Sequence, residues 1–135
     1  MTVIVEGLGR GMGAPRLLVG RQQAIKRAAL KLLKLSKIQN GYLEIYLVGN
    51  DFMNKNVLAF PAPKNFFRPD IKSEKPLGEI YLNPQYIKKR GENLMDTLTH
   101  GFLHLLGYDH KKNRDRMRME KKEKTLLRLL ITLKV

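Results

Sequence analysis

Residues 93–110 read NLMDTLTHGFLHLLGYDH, and this stretch decides both the packing of the second half of the chain and what the chain can bind. The apolar spacing predicts a helix over 93–106 that stops at Gly107, since helices commonly end at glycine. On a helical wheel Met95, Leu98, Phe102, Leu105 and Leu106 fall on one side. Asn93, Asp96, Thr97, His100, His104 and Gly107 fall on the other. His100 and His104 are four residues apart, so they share a face and can reach one metal ion. His110 follows the glycine stop, where a chain that folds back can deliver a third imidazole. The sequence has 3 histidines, all in this stretch.

The spacing H-x-x-x-H-x-x-G-x-x-H coincides with the metzincin zinc motif except at one position. Gly101 stands where those peptidases carry the glutamate that serves as general base. Three protein ligands with an open fourth position is the pattern of catalytic rather than closed structural zinc. Two histidines at this spacing could equally be packed or surface side chains; the third makes that reading the weaker one. Gly101 cannot act as a base, so peptide hydrolysis by the usual route is not expected. RNA carries its own nucleophile, the 2′-hydroxyl.

Composition points to the same polymer. The chain has 26 Lys and Arg against 12 Asp and Glu, a formal net charge of +14. A small protein this basic is expected to meet a polyanion, with nucleic acid ahead of a membrane surface. Its 135 residues suit one domain over 1–135 with one core. With 0 cysteines, disulfides and thiolate metal sites are excluded, so any metal must be held by His, Asp or Glu. The absence of disulfides fits a cytoplasmic protein. Neither a secretory signal nor an apolar run long enough to span a bilayer is recognised.

Working outward from the histidine helix, strands come early and helices late. TVIVE at 2–6, YLEIYLV at 42–48, VLAF at 57–60 and LGEIYLN at 77–83 read as strands. In the second of these Leu43, Ile45 and Leu47 share one face and Glu44 lies on the other. Helices are expected over 19–35, with a basic outer face, over 84–90, starting at Pro84, and over 113–130. The glycine-rich run at 7–15 fits neither nucleotide-loop spacing and reads as a loop. The expected fold class is α+β: a small mixed β-sheet packed with helices, and a three-histidine metal site on a helix of the C-terminal half.

The motif HGFLHLLGYDH at 100–110 resembles, throughout, the signature of the YbeY family of metal-dependent endoribonucleases, the rRNA maturation factors. LGEI at 77–80 resembles the family's Leu-Gly-Asp-Ile strand, and VLAFP at 57–61 its Val-Leu-Ser-Phe-Pro. Met119, Glu120 and Glu123 resemble its closing helix. The resemblance is good over 77–127, fair over 43–61 and only a pattern before that. It implies one zinc ion per chain, bound by His100, His104 and His110. It implies cleavage of single-stranded RNA, in maturation of the three-prime end of small-subunit ribosomal RNA and in ribosome quality control. The small ribosomal subunit is then a candidate partner.

One departure stands out. Only NDFMNKN, residues 50–56, separates the second and third strands. The family's Leu-Asn-x-x-Tyr-Arg segment, whose arginine is thought to line the RNA cleft, has no counterpart. Lys55 is the nearest cation, but a lysine does not grip phosphate bidentately as arginine does. Two alternatives therefore stay open: a non-enzymatic zinc-containing ribosome-binding factor, and a metal-dependent hydrolase of another substrate.

Lys64, Phe66, Phe67 and Arg68 could stack and hold unpaired bases, unless the rings turn into the core. Lys111, Lys112, Arg114, Arg116 and Arg118 follow the third histidine and could hold phosphates near it. No general acid or base can be assigned. Glu79 and Asp109 qualify by residue type alone, and Asp109 could instead orient an imidazole. Leu126, Leu127, Leu129 and Leu130 read as core or partner contacts.

Overall fold

A computed structural model describes residues 1–8, 15–63, 74–108 and 113–132. Its elements run β1 (Thr2–Gly7), α1 (Pro15–Leu35), β2 (Gly41–Leu47), β3 (Val57–Pro61), β4 (Lys75–Leu82), α2 (Pro84–Lys89), α3 (Leu94–Leu105) and α4 (Asn113–Thr132). The α+β expectation holds. The four strands form one mixed sheet in the order β1-β2-β4-β3. β1 and β4 both pair in parallel with β2, while β3 runs antiparallel to β4 at the edge.

Alternation along the strands explains which face is covered. Leu43, Ile45 and Leu47 of β2 and Ile80 and Leu82 of β4 are fully buried and point to the same side. α1 lays Ile25, Ala29, Leu32 and Leu33 over that face against β1, and α3 covers it at β3 and β4. α4 closes the layer by packing on α3 and α1, through Met119, Leu126 and Leu130. Each fully buried Leu, Ile or Phe here contributes about 1.5–3 kcal/mol relative to exposure. The opposite face carries Tyr46 and Tyr81, stacked with centroids 5.2 Å apart, and Phe52 and Phe60 beside Tyr81.

Two details differ from expectation. α1 begins at Pro15, a turn before the apolar spacing becomes regular, consistent with proline's tolerance at a first helical position. In α3, Thr97 is buried although the wheel put it on the polar side, and Leu103 joins Leu98 and Phe102 in the core. The reason is that α3 is flanked by the sheet and by α1, α2 and α4. Thr97 tolerates burial because its hydroxyl donates to the Asn93 carbonyl at 2.8 Å. The four late leucines divide: Leu126 and Leu130 are core, whereas Leu129 is exposed.

β4 contains a bulge. Tyr42 faces Pro76 while Leu43 faces Gly78, so Leu77 is the extra residue. Its carbonyl accepts from the Ala62 amide at 3.1 Å, which extends the β3–β4 pairing beyond Pro61. Among the described residues no helix is long and apolar enough to cross a membrane.

Candidate functional site

The site is built on α3, whose ends are both defined by hydrogen bonds. Asn93 caps the start, its side-chain oxygen accepting from the Met95 and Asp96 amides at 2.9 and 3.2 Å. At the far end Tyr108 N–H donates to Leu103 O, and Gly107 N–H to His104 O, both at 3.1 Å. Gly107 has φ +98°, so these bonds form the left-handed helix stop that glycine permits. The stop turns the chain off the helix axis directly below His104. His110 and Asp109 follow it and lie outside the described residues.

His100 and His104 meet at their outer nitrogens: Nε2 to Nε2 is 3.2 Å. Two nitrogens at about 2.0–2.1 Å from one tetrahedral zinc are themselves ~3.3 Å apart. The two imidazoles therefore stand at the separation a shared ion requires, with ring planes 76° apart. The inner nitrogen of His100 faces elsewhere. Nδ1 lies 3.3 Å from Glu123 Oε2 on α4. A carboxylate accepts, so this contact suits the tautomer with the proton on Nδ1, which leaves the Nε2 lone pair for a ligand. Among the described residues no group of three or more His, Cys, Asp or Glu gathers around one point. The described part of the site is thus a pair of converging imidazoles.

Gly101 has a packing reason. A Cβ there would come within 2.9 Å of Val57 Cγ2 and 3.3 Å of Ile80 Cγ2. α3 crosses β3 and β4 at this point, and the missing side chain lets it come close. The position where a peptidase keeps its base is buried against the sheet here, so a side chain at 101 would have to displace the Val57 and Ile80 side chains.

That close crossing makes β3 the wall of an open cleft of about 860 Å³. His100, His104, Gly107 and Tyr108 line one side of it, and Lys55 to Ala59 the other. β3 is the edge strand, paired with β4 on one side only. Lys55 is the cation that sequence reasoning noted and did not place. The short 50–56 connection is pinned by Asn83, which is fully buried at the end of β4. Asn83 Nδ2 donates to Asn50 Oδ1 at 2.8 Å and to Met53 O at 2.9 Å. Its backbone amide donates to Asn56 O at 3.0 Å, and its Oδ1 accepts from Tyr86 N to cap α2. One residue thus starts a helix and holds the connection that carries Lys55.

Glu79 is not in this cleft. It alternates with Ile80, so it projects from the opposite face of the sheet, where it accepts from the Tyr81 hydroxyl at 2.8 Å. Burial and this bond push the Tyr81 phenol up to about 12. Tyr46 is raised further, by burial first and then by its hydrogen bond to Glu44. Of the basic candidates, Arg114, Arg116 and Arg118 are exposed on α4. Arg118 lines a smaller hollow with Gly107 and Tyr108, next to the histidine cleft. Lys64, Phe66, Phe67, Arg68, Lys111 and Lys112 lie outside the described residues.

Comparison with known proteins agrees with the motif. The family described as endoribonuclease YbeY matches residues 22–130. An endoribonuclease YbeY from Pelagibacter ubique is 31% identical over 114 residues, 76% of this chain and 72% of that protein. One from Saccharopolyspora erythraea is 37% identical over 107 residues, 62% of this chain and 58% of that protein. A human protein of the same name is 36% identical over 84 residues, 53% of this chain and 50% of that protein. The chain thus spans between half and about three quarters of the length of these relatives.

Proposed function

The chain belongs to the YbeY family, and from that membership we propose that it is a zinc-dependent endoribonuclease acting on single-stranded RNA. The observation that carries this reading is the 3.2 Å approach of His100 Nε2 and His104 Nε2 inside a cleft that also holds Lys55. His100, His104 and His110 would hold one zinc ion per chain. Bound there, zinc supplies Lewis-acid polarisation of a phosphoryl oxygen.

The protein's own residues do the rest. Gly101 lets the imidazoles overhang the β3 wall, so a strand of RNA can lie along the sheet edge beneath them. Lys55 neutralises a phosphate there as a point charge. The cleft is open along its length, which suits a flexible single strand more than a stiff duplex. The physiological substrate we propose is ribosomal RNA, at the three-prime end of the small-subunit molecule, with a part in ribosome quality control. The same proposal places the protein in the cytoplasm, as one functional domain over 1–135 and in contact with the small ribosomal subunit.

Among the described residues no carboxylate lines the histidine cleft. This favours a second reading, a ribosome-binding factor that keeps zinc for shape. Incubating zinc-loaded protein and its His104→Ala variant with end-labelled single-stranded RNA decides between them. The nuclease reading expects discrete cleavage products from the wild type and intact RNA from the variant. Equal, intact RNA in both lanes, with zinc bound to the wild type, leaves the binding factor.

A further inference from the structure

The buried stripe of α4 runs Met119, Leu126, Leu130, each 8% exposed or less. Between the first two, positions 122 and 123 are both half-buried, and 123 holds a glutamate that reaches His100. A carboxylate in an apolar seam is costly unless it is paired. Glu123 is 21% exposed, and its Oε2 lies 3.3 Å from His100 Nδ1. Nothing about α4 as a helix calls for this residue.

We infer that Glu123 is a positioning residue: it holds the His100 proton on Nδ1 and aims Nε2 at His104, so that the imidazole pair is set for metal before metal arrives. This rests on the metal reading given under the proposed function. Glu123 is not a third ligand in this arrangement, because it addresses the ring nitrogen that points away from His104. The hollow beside it is lined by Asn56, Glu92, Asp96 and Thr97, and Asn56 is engaged with Glu92 at 3.3 Å. Removing the carboxylate would take away the acceptor that Nδ1 faces at 3.3 Å. Partners of this kind typically change metal affinity by about 10–100-fold.

Glu123→Leu and Glu123→Gln test this with two readouts. The first is nitrogen NMR of the metal-free proteins, at a pH where imidazole is neutral, which reports the tautomer of His100. Wild type and Glu123→Gln, whose amide oxygen still accepts, are expected to show the proton on Nδ1; Glu123→Leu is expected to show a mixture. The second is zinc affinity by competition with a chromophoric chelator. Glu123→Leu is expected to bind zinc 10–100-fold more weakly while its thermal midpoint equals or exceeds that of wild type. Glu123→Gln recovers most of the affinity. A merely structural role predicts the reverse, a lowered midpoint with unchanged zinc affinity, and overturns the inference. So does a His100 tautomer unaltered in Glu123→Leu. A wild type that fails to bind zinc sinks the metal reading, and the tautomer measurement still judges Glu123.

Discussion

Gly101 and Val57 sit so close that a Cβ on the glycine would lie 2.9 Å from the valine Cγ2. Valine has one stiff rotamer choice at χ1, so it cannot swing aside cheaply. Gly101→Ala therefore gains helix propensity, about 1 kcal/mol, but meets overpacking of about 1–3 kcal/mol. A net loss of roughly 1 kcal/mol is expected in urea unfolding. The double variant Gly101→Ala with Val57→Ala should be less destabilised than the two single changes added together. Strict additivity of the two would show that the contact does not limit the approach of α3.

Zinc should bind the folded protein and stabilise it. With free zinc at a hundred times its dissociation constant, the gain is about 2.7 kcal/mol. Differential scanning fluorimetry should show the midpoint rise in wild type and no rise in His100→Ala or His104→Ala. Chelation should lower the midpoint without unfolding the protein. The core around Phe102, Leu98 and Ile80 is formed by side chains that do not touch the site nitrogens.

Lys55→Ala should weaken binding of single-stranded RNA to the zinc-loaded protein. One lost phosphate contact lowers the slope of log affinity against log salt by about 0.7. Lys55→Arg should match or exceed wild type, since guanidinium engages phosphate with two parallel donors. An unchanged salt slope in Lys55→Ala would remove this residue from the RNA path.

Asn83→Ala deletes the helix cap of α2 and both side-chain bonds to the 50–56 connection at once. Burying the freed Met53 carbonyl adds to the cost. A loss of about 1–3 kcal/mol is expected, read from the denaturation midpoint. RNA binding should fall in parallel with Lys55→Ala, because the connection is what places Lys55 in the cleft.

Tyr81 should ionise late. Burial, and then its bond to Glu79, hold the phenol up to about 12, against 10.0 for a free tyrosine. The folded state thus keeps a proton that the unfolded chain releases earlier. This contribution to stability is intact below pH 10 and declines as the pH rises towards 12. An alkaline absorbance titration at 295 nm should lose a late-titrating phenol in Tyr81→Phe. Glu79→Gln should bring the Tyr81 transition to lower pH.

Much of this protein was legible as one-dimensional pattern. The two-residue alternation of β2 and β4 and the apolar spacing of α1 and α3 were enough for the α+β class. Glycine at 107 was enough for the end of α3, and the i, i+4 histidines for a shared face. These are local properties, set by backbone geometry within a few residues. Where a segment is covered on more sides than its own pattern implies, that pattern misleads, as with Thr97, buried on a helix that meets both the sheet and three other helices.

The sequence by itself determined the strands, the helices and the pair of imidazoles that can share an ion. Only the tertiary structure decided what surrounds them. Glu79, a base by residue type, went to the far face of the sheet because β4 alternates and Ile80 takes the core side. Lys55, from a connection that lacks the family's arginine segment, entered the cleft because Asn83, 28 positions later, ties that connection down. Glu123 came to His100 across a helix–helix contact; its resemblance to the family's closing helix did not tell which residue it meets. Gly101 changed meaning in the same way, from a missing base to a close crossing of helix and sheet. The physical reason is common to all four: a side chain's neighbours across a fold are set by packing and strand register. Spacing along the chain does not encode them.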